Sequence, residues 1–271
     1  MENTDKKCCI YTFYYKPQSL IDLPENYVSV WAGKNHKSGI KGFTGDDTGD
    51  NISDKNRYFS ELSGIYWVWK NTHSEIVGTC HYRRYFTSFK EPFFSLLKRN
   101  LYFVLGLWKK RYGLIYTQNF KYWIPKILSE KDAVELLNKY DAIMPVRRKL
   151  RNSIKTHYKK YHHQKDLDLL KDILNEYSPE YLNSFESLLN QNRLFANNMF
   201  VMHWETFDKM MKWLFFILFK FEERSNIKNY TGYQERILGF LSERLISLWI
   251  LHNKINYKEL DLIYFKKLKY K

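Results

Sequence analysis

The chain has 271 residues, of which 44% are hydrophobic and 18% aromatic, so it can bury a sizeable core and is not an intrinsically disordered protein. Lysine and arginine number 44 against 29 acidic residues, a formal net charge of +15, which indicates an anionic partner such as a nucleic acid, a phosphorylated small molecule or an acidic membrane. The cysteines Cys8, Cys9 and Cys80 lack metal-site spacing and indicate buried thiols in a reducing compartment. The N-terminus is a poor signal peptide and no apolar run of about 18 residues occurs, so the cytoplasm is the expected location.

The first part of the chain alternates predicted strands and helices. The apolar run KKCCIYTFYY, residues 6–15, predicts a buried first strand. Apolar residues at spacings of three and four predict one amphipathic helix over residues 53–71, with Ser53 or Asp54 as its N-cap. A second buried strand is predicted over residues 75–80.

The alternation continues and then gives way to helices. Ser129, with Asp132 three residues later, predicts the start of a helix that runs to about Lys139, followed by a strand over residues 142–146. Strands that alternate with helices predict an α/β fold with a parallel core. The second half is predicted to be mostly helical, with one further buried strand within residues 193–203.

The segment of residues 93–116 is unusual because basic residues interrupt its aromatic and leucine residues. Lys98, Arg99 and the run of residues 109–111 supply the positive charge. Such a mixture is typical of a helix in a lipid headgroup layer, although an internal helical hairpin packed on its own domain explains it equally well. The apolar blocks are too short to cross a bilayer.

The acidic loop and the absence of known catalytic and phosphate-binding motifs narrow the classes of reaction that the sequence indicates. Asp46, Asp47 and Asp50 could bind a divalent cation, form a solvated turn or contact substrate, but they lack the EF-hand spacing. The sequence has no GxSxG elbow, no HExxH motif and no glycine-rich phosphate loop. A bound phosphate must therefore be held by other groups, and the arginine guanidinium engages two phosphate oxygens without a metal.

Two adjacent arginines follow the second predicted strand. They belong to the run CHYRRYF, residues 80–86, and open α/β sheets bind their ligands at strand ends. Alternation along an extended segment sends Arg83 and Arg84 to opposite sides, so that one faces a cleft while the other is anchored below. Alternatively, both are ordinary surface or ion-pair residues.

A histidine cluster offers a second candidate site. His162 and His163 are adjacent, and His157 precedes them by about one helical turn and a half. Three interpretations are open: ligation of a transition metal, an exposed basic cluster, or contact with a phosphate or an acceptor sugar. Metal ligation is the least favoured, because adjacent residues point to different faces of a helix or strand.

Five blocks of sequence carry a family resemblance. In order they are DNISDKNRYFSELSGIYWVWKN, VGTCHYRRYF, ILSEKDAVELLNKYDAIMP, NNMFVM and YQERILGFLSERL. Together they resemble a family of bacterial capsular and lipopolysaccharide glycosyltransferases known as a domain of unknown function. The resemblance runs from about residue 8 to residue 250 and implies a GT-A-like α/β fold: a mixed, mainly parallel sheet flanked by helices, with a helix-rich C-terminal half, in a single domain of residues 1–271. Residues 89–123 depart from the family pattern and look like a basic-aromatic insertion.

The resemblance also implies a donor site. GT-A enzymes commonly place a metal-binding Asp-x-Asp where this chain has its two arginines, so we expect Arg83 and Arg84 to act catalytically by stabilising the leaving diphosphate. No cofactor is expected, with Mn²⁺ or Mg²⁺ as the alternative. Donor contacts are assigned to Tyr15, Lys16, Asp50, Asn51, Glu61, His81 and Tyr82.

An inverting transfer further needs a general base near the acceptor hydroxyl. Glu235 in the YQER block is the preferred base, with Glu243 and Asp141 as alternatives. Acceptor contacts are assigned to His162, His163, Asn198 and Gln234.

The predicted function is transfer of a sugar, with galactofuranose the leading candidate, from a UDP-sugar donor to a lipid-linked glycan in capsule or O-antigen biosynthesis. The acceptor would be a polyprenyl-diphosphate-linked oligosaccharide, and the positive charge would hold the enzyme on anionic lipids of the inner leaflet. The alternative is a non-catalytic protein that binds a membrane surface or single-stranded nucleic acid. Nucleic acid is not an expected partner, because the aromatic residues fall largely on apolar faces.

Overall fold

A computed structural model describes residues 7–15, 21–33, 43–105 and 113–266. The strands are β1 (Cys8–Tyr14), β2 (Tyr27–Trp31), β3 (Thr44–Gly45), β4 (Ile76–His81), β5 (Arg84–Thr87), β6 (Leu114–Thr117), β7 (Ala142–Pro145), β8 (Arg148–Lys149), β9 (Arg193–Leu194), β10 (Phe200–His203) and β11 (Tyr257–Phe265). The helices are α1 (Asn56–Phe59), α2 (Leu62–Asn71), α3 (Phe93–Val104), α4 (Phe120–Trp123), α5 (Glu130–Leu137), α6 (Ile154–Tyr161), α7 (Gln164–Tyr177), α8 (Leu182–Asn190), α9 (Trp204–Arg224) and α10 (Ile237–His252). The architecture is therefore mixed α/β.

One mixed sheet holds most of the described strands. Strands β3, β2, β1 and β4 are parallel neighbours, which confirms the predicted parallel core. Strand β10 runs antiparallel to both β4 and β7. Strand β11 is parallel to β6 and β7 and antiparallel to β5. Strands β8 and β9 form a separate small pair.

Helices cover both faces of this sheet, and side-chain alternation along β1 explains why. Cys9 and Phe13 face a large core built mainly by α2, α7, α8, α9 and α10. Cys8 and Ile10 face a second core that includes α5. Strand β1 is buried along its whole length, as expected for a central parallel strand. The three cysteines are buried and unbonded to each other, as their spacing predicted.

The helix predicted over residues 53–71 is broken in the structure. Helix α1 ends at Phe59 and α2 starts at Leu62, because Ser60 takes a left-handed conformation with φ of 55°. Ser53 is not an N-cap, since its hydroxyl donates to the carboxylate of Asp46 at 2.6 Å. The cap predicted at Ser129 is confirmed, with its Oγ accepting from the backbone N–H of the residue three positions on.

Two other segments differ from the predictions. The strand predicted within residues 193–203 is divided into β9 and β10 by Asn197 and Asn198, which both have positive φ. The helical hairpin suggested for residues 93–116 is wrong, because α3 is followed further along the chain by β6, which joins the sheet beside β11. Strand β11 was not predicted from the sequence. Within the described ranges, none of the helices combines the length and the apolar character that crossing a bilayer requires.

Candidate functional site

Two connected pockets open where β1 and β4 end. The larger, the arginine pocket, has a volume of about 430 Å³ and is lined by residues that include Glu61, His81, Arg83, Arg84, Asn198 and Arg236. The second, the adjoining pocket, has a volume of about 300 Å³ and is lined by residues that include Phe13, Tyr15, Ala32, Arg57 and Glu235. Both pockets share Tyr15, Ser60, Glu61 and Arg236. Carboxyl ends of parallel strands are where open α/β sheets bind ligands.

The arginine pair lies in a tight turn between β4 and β5. His81 pairs with Arg84 across the two strands, and the backbone N–H of Arg83 points to His81 Nδ1 at 3.4 Å. Both arginines and the largely buried Tyr82 line the arginine pocket, and the Tyr82 hydroxyl lies 3.1 Å from that of Tyr15. The expectation that one arginine would be anchored below the sheet is wrong, because the turn ends the alternation of an extended strand.

Arg84 has a hydrogen-bond donor that an anion could accept from. Its Nε is buried and has no hydrogen-bond partner in the part of the chain that the structure describes. The guanidinium lies 5.5 Å from the ring centroid of Tyr264, which holds it from one side. A buried donor without a partner costs about 1–3 kcal/mol, and a phosphate oxygen from a ligand would remove that cost.

Glu61 is a carboxyl group of the arginine pocket whose pKa is strongly raised. It stands at the N-terminal end of α2, and Asn198 Nδ2 donates to its Oε1 at 3.1 Å. Burial raises the pKa of Glu61 to about 7, although Arg84, Asn198 and Arg236 favour the charged form. This carboxyl group therefore changes its protonation near neutral pH.

Backbone strain concentrates at the same place. Among the described residues, Ser60, Asn197, Asn198 and Lys254 are the non-glycine positions with positive φ, and the first three line the arginine pocket. Ser60 Oγ accepts from Arg236 Nε at 2.9 Å, so the strained residue fixes an arginine that both pockets share. Strained conformations of this kind persist where the surrounding structure holds them, often at functional sites.

The structure does not favour Glu235 as a general base. Its carboxylate lines the adjoining pocket and binds Arg57 through two hydrogen bonds of 2.9 and 3.0 Å. Gly232 N also donates to it at 3.1 Å. The hydrogen bond from Arg57 lowers the pKa of Glu235, so this carboxylate is a weak proton acceptor.

The residues assigned to the acceptor divide into two groups. Asn198 lines the arginine pocket, whereas Gln234 and His162 bond to each other at 3.1 Å beside it, the imidazole packing on Phe240 at 4.4 Å. His163 is exposed and lies against the ring of Tyr230, away from the pocket lining. Burial lowers the pKa of His162, so it is mainly neutral at pH 7.

The first aspartate of the acidic loop has a structural role. Asp46 is fully buried and accepts hydrogen bonds from Gly33 N at 2.9 Å, Ser53 Oγ at 2.6 Å and Ser63 Oγ at 2.7 Å. It therefore forms neither a solvated turn nor an open cation loop. Within the described ranges, no group of three or more His, Cys, Asp or Glu side chains is close enough to hold a metal ion.

Several predicted contacts lie elsewhere in the structure. Asp50 accepts from the Tyr66 hydroxyl at 3.0 Å, Asn51 accepts from a neighbouring backbone N–H, and neither lines the two pockets. Asp141, an alternative base, accepts from a backbone N–H at the start of the β11 segment. Lys16, a predicted donor contact, lies outside the described residues.

Part of the pocket lining was not predicted from the sequence. Arg148, Tyr264 and Arg236 line it, but only Arg236 had a sequence signal, because it belongs to the YQER block. Glu243, weighed only as an alternative base, lines the pocket and accepts from Asn197 N at 2.9 Å. Arginines outnumber carboxylates on this lining, which makes the site attractive to anions.

Fold and site define a mixed α/β protein with a basic ligand cleft at the strand ends. Residues 9–254 match the model of a family described as Domain of unknown function (DUF4422), and the chain belongs to this family. The chain is also similar to a solved structure described as WbbM bifunctional glycosyltransferase in its apo form, with a TM-score of 0.81 and 27% identity. The similarity covers 97% of this chain but 46% of the neighbour. No curated protein matches the sequence. These findings confirm the resemblance carried by the five blocks.

Proposed function

We propose that the protein is a glycosyltransferase that transfers a sugar from a UDP-sugar to a lipid-linked glycan in polysaccharide biosynthesis. The proposal rests on one observation: Arg84, Arg236 and Glu61 line the same cleft at the strand ends. The similarity to a bifunctional glycosyltransferase over nearly the whole chain supports the reaction class. Galactofuranose is the proposed sugar because of the family resemblance.

Different parts of the donor occupy the two pockets, as in a GT-A-like enzyme. The adjoining pocket, with Tyr15 and Ala32 among its lining, takes the nucleoside. The diphosphate lies at the junction, where Arg236 belongs to both pockets and Arg83 and Arg84 approach from the β4–β5 turn. Guanidinium groups bind phosphate oxygens in pairs and stabilise the charge that develops on the leaving UDP. No metal is needed for this step.

Glu61 is the proposed general base. The acceptor hydroxyl transfers its proton to the Glu61 carboxylate as its oxygen attacks the anomeric carbon of the donor. The bond between that carbon and the diphosphate oxygen breaks, and UDP leaves with the electron pair. A pKa of about 7 suits a base that works near neutral pH, better than the lowered pKa of Glu235.

The test is a transfer assay with a panel of UDP-sugars, including UDP-galactofuranose, and a lipid extract that supplies diphosphate-linked acceptors. Each reaction is run with excess Mg²⁺ and with EDTA, and released UDP and labelled glycolipid are both measured. We expect one donor to yield labelled glycolipid under both conditions. Absence of UDP release from every donor would contradict the proposed reaction, and release only with Mg²⁺ would contradict the arginine mechanism.

A further inference from the structure

Helix α3 exposes an apolar surface that the described residues of the chain do not cover. Its most exposed large apolar residues are 49–83% exposed: Phe93, Phe94, Leu97, Leu101, Val104 and Leu105. At about 100° per residue these six positions fall within one arc of about 120° around the helix axis. Scattered exposed apolar side chains are ordinary, but a continuous stripe on one helix face marks an interaction surface.

The sequence that contains this face is rich in positive charge. Residues 88–126 contain eight lysines or arginines and a single acid, Glu91, and so hold almost half of the net charge of +15. At the base of α3, Lys126 Nζ lies 5.4 Å from the ring of Phe89 and 3.9 Å from the ring of Tyr122, and both rings are more than 40% exposed. Aromatic rings beside lysine are the composition of a membrane headgroup layer.

The C-terminal end of β11 carries a further lysine beside β6. Lys266 N donates to Thr117 O at 2.9 Å, and its Nζ lies 5.0 Å from the ring of Tyr116 on β6. The sequence that follows is KLKYK. Helix α3 follows β5, the strand between β4 and β11 whose first residue is Arg84 of the cleft. Four residues of strand span about 13 Å, so the segment that leads into α3 leaves the sheet about that far from Arg84.

We propose that α3 docks on an anionic lipid bilayer, with its apolar stripe in the headgroup layer and lysines of the flanking segments, Lys126 among them, on lipid phosphates. Two signals act together here, because apolar insertion alone or charge alone gives weak attachment. The surface would place the cleft near lipid-linked substrates. Vesicle binding needs neither donor nor acceptor, so its test is independent of the proposed reaction.

The test is co-sedimentation of the purified full chain with vesicles of phosphatidylcholine, with and without about one third of phosphatidylglycerol. The double variant Phe94→Ser, Leu101→Ser removes two residues of the stripe. The matched control is Phe216→Ser, because Phe216 is a 44% exposed phenylalanine on α9. We expect the wild type and the control to sediment with anionic vesicles only. The double variant should bind at least about tenfold more weakly, since two apolar side chains no longer leave water.

Salt gives a second readout, because about 1 M NaCl shortens the Debye length to about 3 Å and should release the protein from anionic vesicles. Failure of the wild type to bind anionic vesicles, or undiminished binding by the double variant, would overturn the proposal. A wild-type dimer that ignores vesicles and that the double variant dissociates would overturn it as well, and would assign the stripe to contact between copies of the chain.

Discussion

At the scale of single residues, the raised pKa of Glu61 affects both the folding stability of the protein and the proposed reaction. Burial holds its pKa at about 7 against an ordinary value of 4.5, so the folded protein binds one more proton than the unfolded chain between these values. Folding stability contributed by this group therefore falls as the pH rises through that window. Carboxyl groups with strongly shifted pKa values cluster at functional sites.

Replacement of Glu61 by glutamine should separate the two effects. We expect Glu61→Gln to lower the transfer rate by about 100-fold or more, because a general base contributes roughly 10²–10⁴ to rate. Wild-type kcat/KM should rise with pH through about 7, as the carboxylate loses its proton, and the residual rate of the variant should lack this rise. At about pH 8 the variant should unfold at a higher temperature than the wild type, since it buries no charge.

The control for Glu61 is Asp50→Asn, which makes the same chemical change outside the two pockets. Its rate and pH profile should match those of the wild type. A Glu61→Gln protein with a normal rate would refute the assignment of the base. A variant that is inactive but less stable at about pH 8 would point to a structural role for the carboxylate.

At the scale of elements, the junction of α1 and α2 shapes the site. The apolar spacing of residues 53–71 predicted helix, and most of these residues are helical. The break at Ser60 was not predictable, because serine has no local preference for positive φ and its conformation depends on the contact with Arg236 from a distant segment. The break brings both Ser60 and Glu61 into the pocket lining.

Helix α2 packs so closely on β1 that glycine is required. A Cβ atom at Gly64 would lie 2.4 Å from the Phe13 ring, whereas one at Gly239 in α10 would meet its nearest neighbour at 3.6 Å. Alanine favours a helix over glycine by about 1 kcal/mol, but overpacking costs about 1–3 kcal/mol. We expect Gly64→Ala to lower the free energy of unfolding in urea by about 1 kcal/mol, and the matched Gly239→Ala to leave it unchanged or raise it. Equal stabilisation by both would contradict the close packing.

Strands were predictable where their residues are uniformly apolar and not otherwise. Strand β1 is buried throughout and its sequence is apolar, whereas β11 mixes Lys258, Glu259 and Asp261 with apolar residues. Strand β11 is ordered by its pairing with β5, β6 and β7, which lie far away in sequence. Local pattern therefore predicted β1, β4 and β7 but missed β2 and β11.

At the scale of the whole molecule, the cleft gathers residues that the sequence keeps apart. The Arg57–Glu235 pair joins positions 178 residues apart, and it explains why the preferred sequence candidate for the base is engaged elsewhere. The five sequence blocks indicated most segments that form the cleft, because such segments meet at the strand ends of an α/β sheet. Which side chains bond within it depends on tertiary contacts that no single segment encodes.

The basic charge of the chain also divides spatially. Arginines line the cleft, while the sequence of residues 88–126, which includes the apolar stripe of α3, is rich in lysine and arginine. The net charge of +15 is therefore concentrated in two parts of the chain. We assign the first to binding of a donor diphosphate and the second to binding of lipid phosphates. The first of these assignments carries the mechanism.

Titration calorimetry with UDP in excess EDTA tests that assignment most directly. The proteins are the wild type, Arg84→Ala, and Arg151→Ala as a control with an exposed arginine outside both donor pockets. We predict that the wild type and the control bind UDP without divalent metal, and that Arg84→Ala weakens binding by about tenfold or more, since a charge-assisted contact contributes at least about 1.4 kcal/mol. UDP binding that requires Mg²⁺ or Mn²⁺, or an Arg84→Ala protein that binds UDP as the wild type does, would contradict the account.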